Sequence, residues 1–149
     1  MQYFVTGATG FIGKRLVKTL LARKGATVYF LLRKESERKV PELLEYWGTT
    51  KARAIPVFGD LTSKKLGVAA DDIKGLKGSI DALFHLAAVY DLRADEETQI
   101  QANVEGTRNV VEFAKAIDAK HLHHVSSIAA AGLYEGVFRE DMFDEAEGL

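Results

Sequence analysis

The stretch Thr6-Gly7-Ala8-Thr9-Gly10-Phe11-Ile12-Gly13 decides the reading of the fold. It follows a short apolar run, residues 2–6, and opens an amphipathic one, residues 10–24, in which Ile12, Leu16, Val17, Leu20 and Leu21 form one stripe. A strand that turns on glycine straight into a helix begins a βαβ unit. Gly7 permits the tight turn, Gly10 lets backbone approach a pyrophosphate, and Gly13 lets the helix close on the strand. The first N–H groups of that helix and its positive dipole end suit an anion. Thr6, Thr9, Phe11 and Ile12 flank these glycines and join them as candidate cofactor-binding residues. The spacing is Gly-x-x-Gly-x-x-Gly rather than the commoner Gly-x-Gly-x-x-Gly, and a tight turn without ligand is the plain alternative.

Outward from this turn the apolar pattern alternates between strand and helix periods, with strands expected at 2–6, 27–32, 53–58, 81–86 and 121–126. Each carries Val, Ile, Leu or Phe on both faces, as when helices cover both sides of a sheet. Helices are expected at 10–24, closed by Arg23, Lys24 and Gly25, at 35–47 with Pro41 restarting it or in a first turn, and briefly at 70–76. The longest is expected at 95–117, with Asp95, Glu96 and Glu97 in its first turn and Ile100, Val104, Val111, Ala114 and Ile117 along one side. The fold class is therefore α/β, a doubly wound parallel sheet of Rossmann type with about five strands. Residues 1–134 read as one partial dinucleotide-binding domain. Residues 135–149 read as an acidic loop, six acids against Arg139.

Composition narrows the chemistry. Twenty Lys+Arg balance 21 Asp+Glu, so no overall charge draws the chain to nucleic acid or an anionic membrane. The absence of cysteine removes disulfides, Cys-zinc sites and thiol chemistry. No apolar run approaches the roughly 20 residues that span a bilayer, so a cytoplasmic protein is expected. Counting 20 residues from Gly13, where NAD-binding proteins usually hold a ribose hydroxyl with an acid, reaches Arg33, followed by Lys34. A guanidinium pairs with a 2′-phosphate through two parallel bonds, which favours NADPH over NADH. Glu35 is the alternative hydroxyl acceptor.

Further matches accumulate in order: Gly59-Asp60-Leu61, His85-Leu86-Ala87-Ala88, Asn103-Val104-Glu105-Gly106-Thr107 and Val125-Ser126-Ser127. Together the set resembles the N-terminal portion of extended short-chain dehydrogenases/reductases. Phe84-His85-Leu86-Ala87-Ala88-Val89-Tyr90-Asp91, the run from His123 to Gly132, and Phe138-Arg139-Glu140-Asp141-Met142-Phe143 are similar to the reductase domain of bacterial fatty acyl-CoA reductases. That resemblance implies reduction of an acyl-CoA or fatty aldehyde with NADPH. It implies that Asp60 and Leu61 contact adenine, that Ala87 and Ala88 line the cofactor, and that Ser127, or Ser126 under a shifted alignment, hydrogen-bonds the substrate carbonyl. It gives Asn103 an ordering role. His121, His123 and His124 read as ordinary strand residues, with no metal site, and His85 as a structural hydrogen-bonder.

The same resemblance implies a Tyr-x-x-x-Lys pair beyond the serine strand. None of Tyr3, Tyr29, Tyr46, Tyr90 and Tyr134 has lysine four residues on. The expectation is an N-terminal piece of a longer reductase, inactive alone, whose long helix takes part in a homodimer. Two alternatives stand: a nucleotide-sugar epimerase or dehydratase using NAD, and a non-catalytic dinucleotide sensor.

Overall fold

The computed structural model describes residues 1–88 and 100–142. The expected acidic helix start at 95–97, the Val89-Tyr90-Asp91 match and the acids after Met142 lie outside these residues. Five parallel strands form one sheet: β1 (Gln2–Thr6), β2 (Thr27–Leu32), β3 (Ala54–Phe58), β4 (Ala82–His85) and β5 (Leu122–His124). Their order in space is β3-β2-β1-β4-β5, so the chain winds outward from β1 to β3 and then crosses to the other side of β1. The junction of β1 and β4 is the switch point, where the strand order reverses and a crevice opens at the strands' C-terminal ends.

Alternation along each strand builds two cores. On one face Tyr3, Val5, Val28 and Phe30 pack beneath α1 (Phe11–Leu21) and α2 (Val40–Trp47), with Phe30 edge-on to Trp47 at 5.1 Å. Trp47 also donates from Nε1 to the Lys14 carbonyl at 3.0 Å, which ties the two helices together. On the other face Phe4, Leu31 and Leu83 meet Val110, Phe113 and Ile117, with Phe4 and Phe113 rings 4.8 Å apart. The short α3 (Ala70–Leu76) and α4 (Gly106–Ala116) lie on this side.

The helical region expected at 35–47 consists of a 3₁₀ segment, Lys34–Lys39, followed by α2, and Pro41 sits in the first turn of α2, one of the two places expected for it. Two expectations need correction. The described part of the long helix begins as a π-helical turn, Ile100–Glu105, before α4. A π turn shifts the phase of the face that follows it. Ile100 and Val104 are consequently exposed, Val111 is half-buried, and Asn109, Val110, Phe113, Ala114 and Ile117 form the buried stripe. Finally, β5 is shorter than 121–126 and exposed along its whole length, because among the described residues it is an edge strand with no helix over it.

Candidate dinucleotide-binding site

The glycine turn is built by close approach. Gly7 has φ +74°, and a Cβ there would come within 2.7 Å of the Ala87 nitrogen on the neighbouring strand's exit. A Cβ on Gly13 would collide with the Gly7 carbonyl oxygen, so the first turn of α1 rests directly on the loop. Gly10 is the N-cap: its nitrogen donates to the Gly7 oxygen at 3.0 Å, no side chain caps the helix, and the first turn carries no acid. The positive end of α1 is thus left for an anion, in a cradle that any side chain would fill.

An open cleft of about 390 Å³ runs from this turn across the ends of β1, β2 and β4. Gly7, Thr9, Gly10, Arg33, Asp60, Leu61, Ala87 and Ala88 all line it, so residues scattered over 80 positions converge on one cleft. Other candidates do not face it. Thr6 is buried beneath the cleft and Gly13 beneath the turn, while Phe11 and Ile12 are 75% and 58% exposed on the outer side of α1, Phe11 carrying the Arg15 guanidinium 3.8 Å above its ring.

Three polar lining residues escaped the sequence reading: Ser36, Lys39 and Thr62. Arg33 caps the 3₁₀ segment, and three-residue periodicity eclipses side chains at i and i+3. Arg33, Ser36 and Lys39 therefore stand in one row along the cleft. Lys34 is diverted, pairing with Glu37 at 2.7 Å and lying 4.2 Å over the Phe58 ring. Glu35 faces the adjoining groove beside Phe58 and does not line the main cleft.

Opposite the row, Asp60 accepts from the Thr62 hydroxyl at 2.6 Å and the Thr62 nitrogen at 2.8 Å. These two bonds hold its carboxyl below the ordinary aspartate value against the opposing effect of burial, with the charge of Arg33 a smaller aid. Buried Asn109 on α4 donates from Nδ2 to the Leu61 carbonyl at 2.8 Å, fixing the loop that follows Asp60. Asn109, which the sequence reading did not single out, therefore orders this loop.

Beneath the cleft, Thr6 Oγ1 lies 2.7 Å from His85 Nδ1 and accepts from the Ala87 nitrogen at 3.3 Å. His85 Nε2 lies 3.2 Å from Thr107 Oγ1 on α4. His85 is the structural hydrogen-bonder expected, and burial, then His124, push its pKa down to about 4.

Ser126 and Ser127 follow the bond from the Val125 nitrogen to the His85 carbonyl at 3.0 Å, both exposed and neither lining the cleft. Ser127 caps the 3₁₀ turn Ile128–Ala131, its Oγ accepting from the Ala129 nitrogen at 3.1 Å. A hydroxyl that accepts there keeps its hydrogen to donate elsewhere. Among the described residues no group of His, Asp and Glu is placed to hold a metal, and no helix is long and apolar enough to cross a membrane.

Residues 5–147 match the family described as male sterility protein. The chain belongs to that family. The male sterility match makes it an NAD(P)-binding, reductase-type domain of the extended short-chain dehydrogenase/reductase group. A linear gramicidin synthase polypeptide of Brevibacillus parabrevis is 35% identical over 151 residues, covering 93% of this chain and 3% of that protein. A "putative fatty acyl-CoA reductase" of Drosophila melanogaster is 31% identical over 141 residues, covering 83% of this chain and 27% of its own length. The solved terminal R domain from the myxalamid PKS-NRPS biosynthetic pathway superposes with a TM-score of 0.80 at 31% identity, covering 95% of this chain and 38% of that one. The chain spans well under half of each relative.

Proposed function

We propose that this male sterility family chain is the cofactor-binding half of an NADPH-dependent reductase that passes hydride to a fatty acyl-CoA or fatty aldehyde carbonyl. Residues 1–134 form the dinucleotide-binding portion and residues 135–149 lead out of it. The observation that carries the cofactor choice is the row of Arg33, Ser36 and Lys39 along one wall of the cleft. Two cations and a hydroxyl at three-residue spacing suit a phosphate monoester, whereas the acid that a bare ribose hydroxyl would favour, Glu35, lies outside the cleft.

The other roles follow from position. Gly7, Gly10 and Gly13 admit the diphosphate to the N-terminus of α1, where backbone N–H groups bind it. Asp60 and Leu61 flank the adenine end, and Ala87 and Ala88, with minimal side chains, leave room along β4 for the middle of the cofactor. Bound there, the nicotinamide ring supplies the hydride. Ser127 donates its hydroxyl hydrogen to the carbonyl oxygen as negative charge gathers on it. The acyl substrate is supported by the reductase name of the Drosophila relative and by the likeness to an R domain.

Calorimetry with NADPH and NADH tests the reading. NADPH should bind more tightly, and Arg33→Ala should remove most of the difference. Equal affinities in the unaltered chain would overturn the NADPH assignment.

A further inference from the structure

We infer that His85 is the positioning residue of the dinucleotide cleft, locking the glycine turn to the β4 wall through a hydrogen-bond chain that runs in one direction only. The inference deepens the cofactor reading above and rests on it for its binding test.

The direction is set at the α4 end. Thr107 Oγ1 lies 2.6 Å from the Asn103 carbonyl oxygen, which can only accept, so the threonine hydrogen is used there. The same Oγ1 is left to accept at 3.2 Å from His85 Nε2, which must therefore carry the imidazole hydrogen. His85 Nδ1 is then a bare acceptor. Thr6 donates to it at 2.7 Å while accepting from the Ala87 nitrogen. The hydrogens run from Ala87 to Thr6, from Thr6 to His85, from His85 to Thr107, and from Thr107 to Asn103.

Burial makes this order obligatory. Thr6 is 0% and His85 2% exposed, so water cannot replace a missing partner. The atom at the head of the chain matters too: the Ala87 nitrogen is the nearest neighbour of any side chain added at Gly7. The Thr6 hydroxyl thus fixes how far apart the two walls of the cleft stand.

The neutral ring is the form that keeps this order. A hydrogen on Nδ1 would point at Thr6 Oγ1, whose two lone pairs would then take Nδ1–H and the Ala87 N–H, leaving the threonine hydrogen without the acceptor it has in the neutral state. The groups that face the ring are Thr6 from β1, Thr107 from α4 and His124 from β5, whose ring centroid is 5.0 Å away. His124 is the titratable one among these described neighbours. Its charge and the burial of the ring both oppose protonation, so the relay holds at neutral pH.

Two measurements on the 149-residue chain test this. Nitrogen-15 NMR of the imidazoles should show the His85 ring with Nε2 protonated and Nδ1 bare, titrating only near pH 4. NADPH calorimetry at neutral pH should show Thr6→Val, which keeps the shape and removes the hydroxyl, binding about tenfold more weakly, and Thr6→Ser restoring the affinity. An Nδ1-protonated ring, titration at an ordinary histidine value, or undiminished affinity in Thr6→Val would overturn the positioning role and leave the cofactor reading intact. Failure of the unaltered chain to bind either dinucleotide would overturn both. The NMR readout needs no variant to fold.

Discussion

The crevice between β1 and β4 and the segment that follows β5 both lie at the C-terminal edge of one sheet, yet they are built in opposite ways. At the crevice the key positions are constrained: Gly7 and Gly13 have no space for a methyl group, Thr6 and His85 are buried, and Asn109 reaches from α4 to pin Leu61. After β5 most of the described side chains stand in solvent, with Ile128 91% and Leu133 77% exposed, and Ser127 Oγ bonds to its own turn. Preorganisation is therefore concentrated where a dinucleotide would lie. The proposed carbonyl-binding hydroxyl hangs from an edge that the described residues leave open.

Substituting inside the crevice should give the largest effect. Gly7→Ala places a methyl group against the Ala87 backbone at a positive φ, so both strain and overlap oppose it. Overpacking of this kind costs about 1–3 kcal/mol, and dinucleotide binding should vanish in calorimetry. Gly75→Ala, in α3 with nothing within 4 Å of the added carbon, is the matched control and should stabilise by about 0.5–1 kcal/mol in chemical denaturation. If the two substitutions gave similar melting curves, the crevice would not be the constrained region. Next in size is Arg33→Ala. Loss of a charged hydrogen-bonding partner, about 1.5–3 kcal/mol, should weaken NADPH roughly 10- to 100-fold and NADH far less.

The same contrast explains what the sequence disclosed. The glycine turn was legible because its chemistry is local: strand, three glycines and helix are contiguous. Arg33 was legible by counting. Ser36 and Lys39 were not, because a helix expected from 35 leaves Arg33 outside it, whereas the 3₁₀ segment starts at Lys34 with Arg33 as its cap and brings all three to the cleft. The buried stripe of α4 was misjudged for a similar reason, since the π turn at Ile100–Glu105 shifts the phase established upstream. The relay beneath the cleft was out of reach altogether. Thr6 and His85 are 79 residues apart, and only the β1–β4 register, which pairs them directly, brings hydroxyl and imidazole together. The exposure of β5 was equally invisible, because an apolar alternation does not reveal whether any helix covers it.

Acid should act on the crevice before it acts elsewhere. An unfolded histidine takes up its proton near 6.5, whereas His85 in the fold does so only near 4. Between those values the unfolded chain binds more protons, so stability rises with pH across the window and is lost as pH falls through it. The carboxyls held low, Asp60 and Asp81, contribute losses only below the ordinary aspartate value of 3.8. Thermal melts from pH 7 downward should thus show a decline that begins above the carboxylate range, and His85→Asn should flatten it. A melting temperature unchanged between pH 6.5 and 4 would place the ring in solvent contact and dissolve the contrast with β5.

The smallest effect on stability and on cofactor affinity is expected at Ser127. Its Oγ accepts one bond from the Ala129 nitrogen in an exposed turn, so Ser127→Ala removes a solvated cap and nothing that the crevice depends on. Surface changes of this kind stay within about 0.5 kcal/mol. Stability and NADPH affinity should both be retained, and in an active reductase carrying this segment the loss should fall on turnover, by about 10²- to 10³-fold if the hydroxyl stabilises developing charge. Retained turnover would pass the carbonyl role to Ser126. Weakened NADPH binding in Ser127→Ala would mean instead that the open edge and the locked crevice are one site, with the edge folding down onto the cofactor.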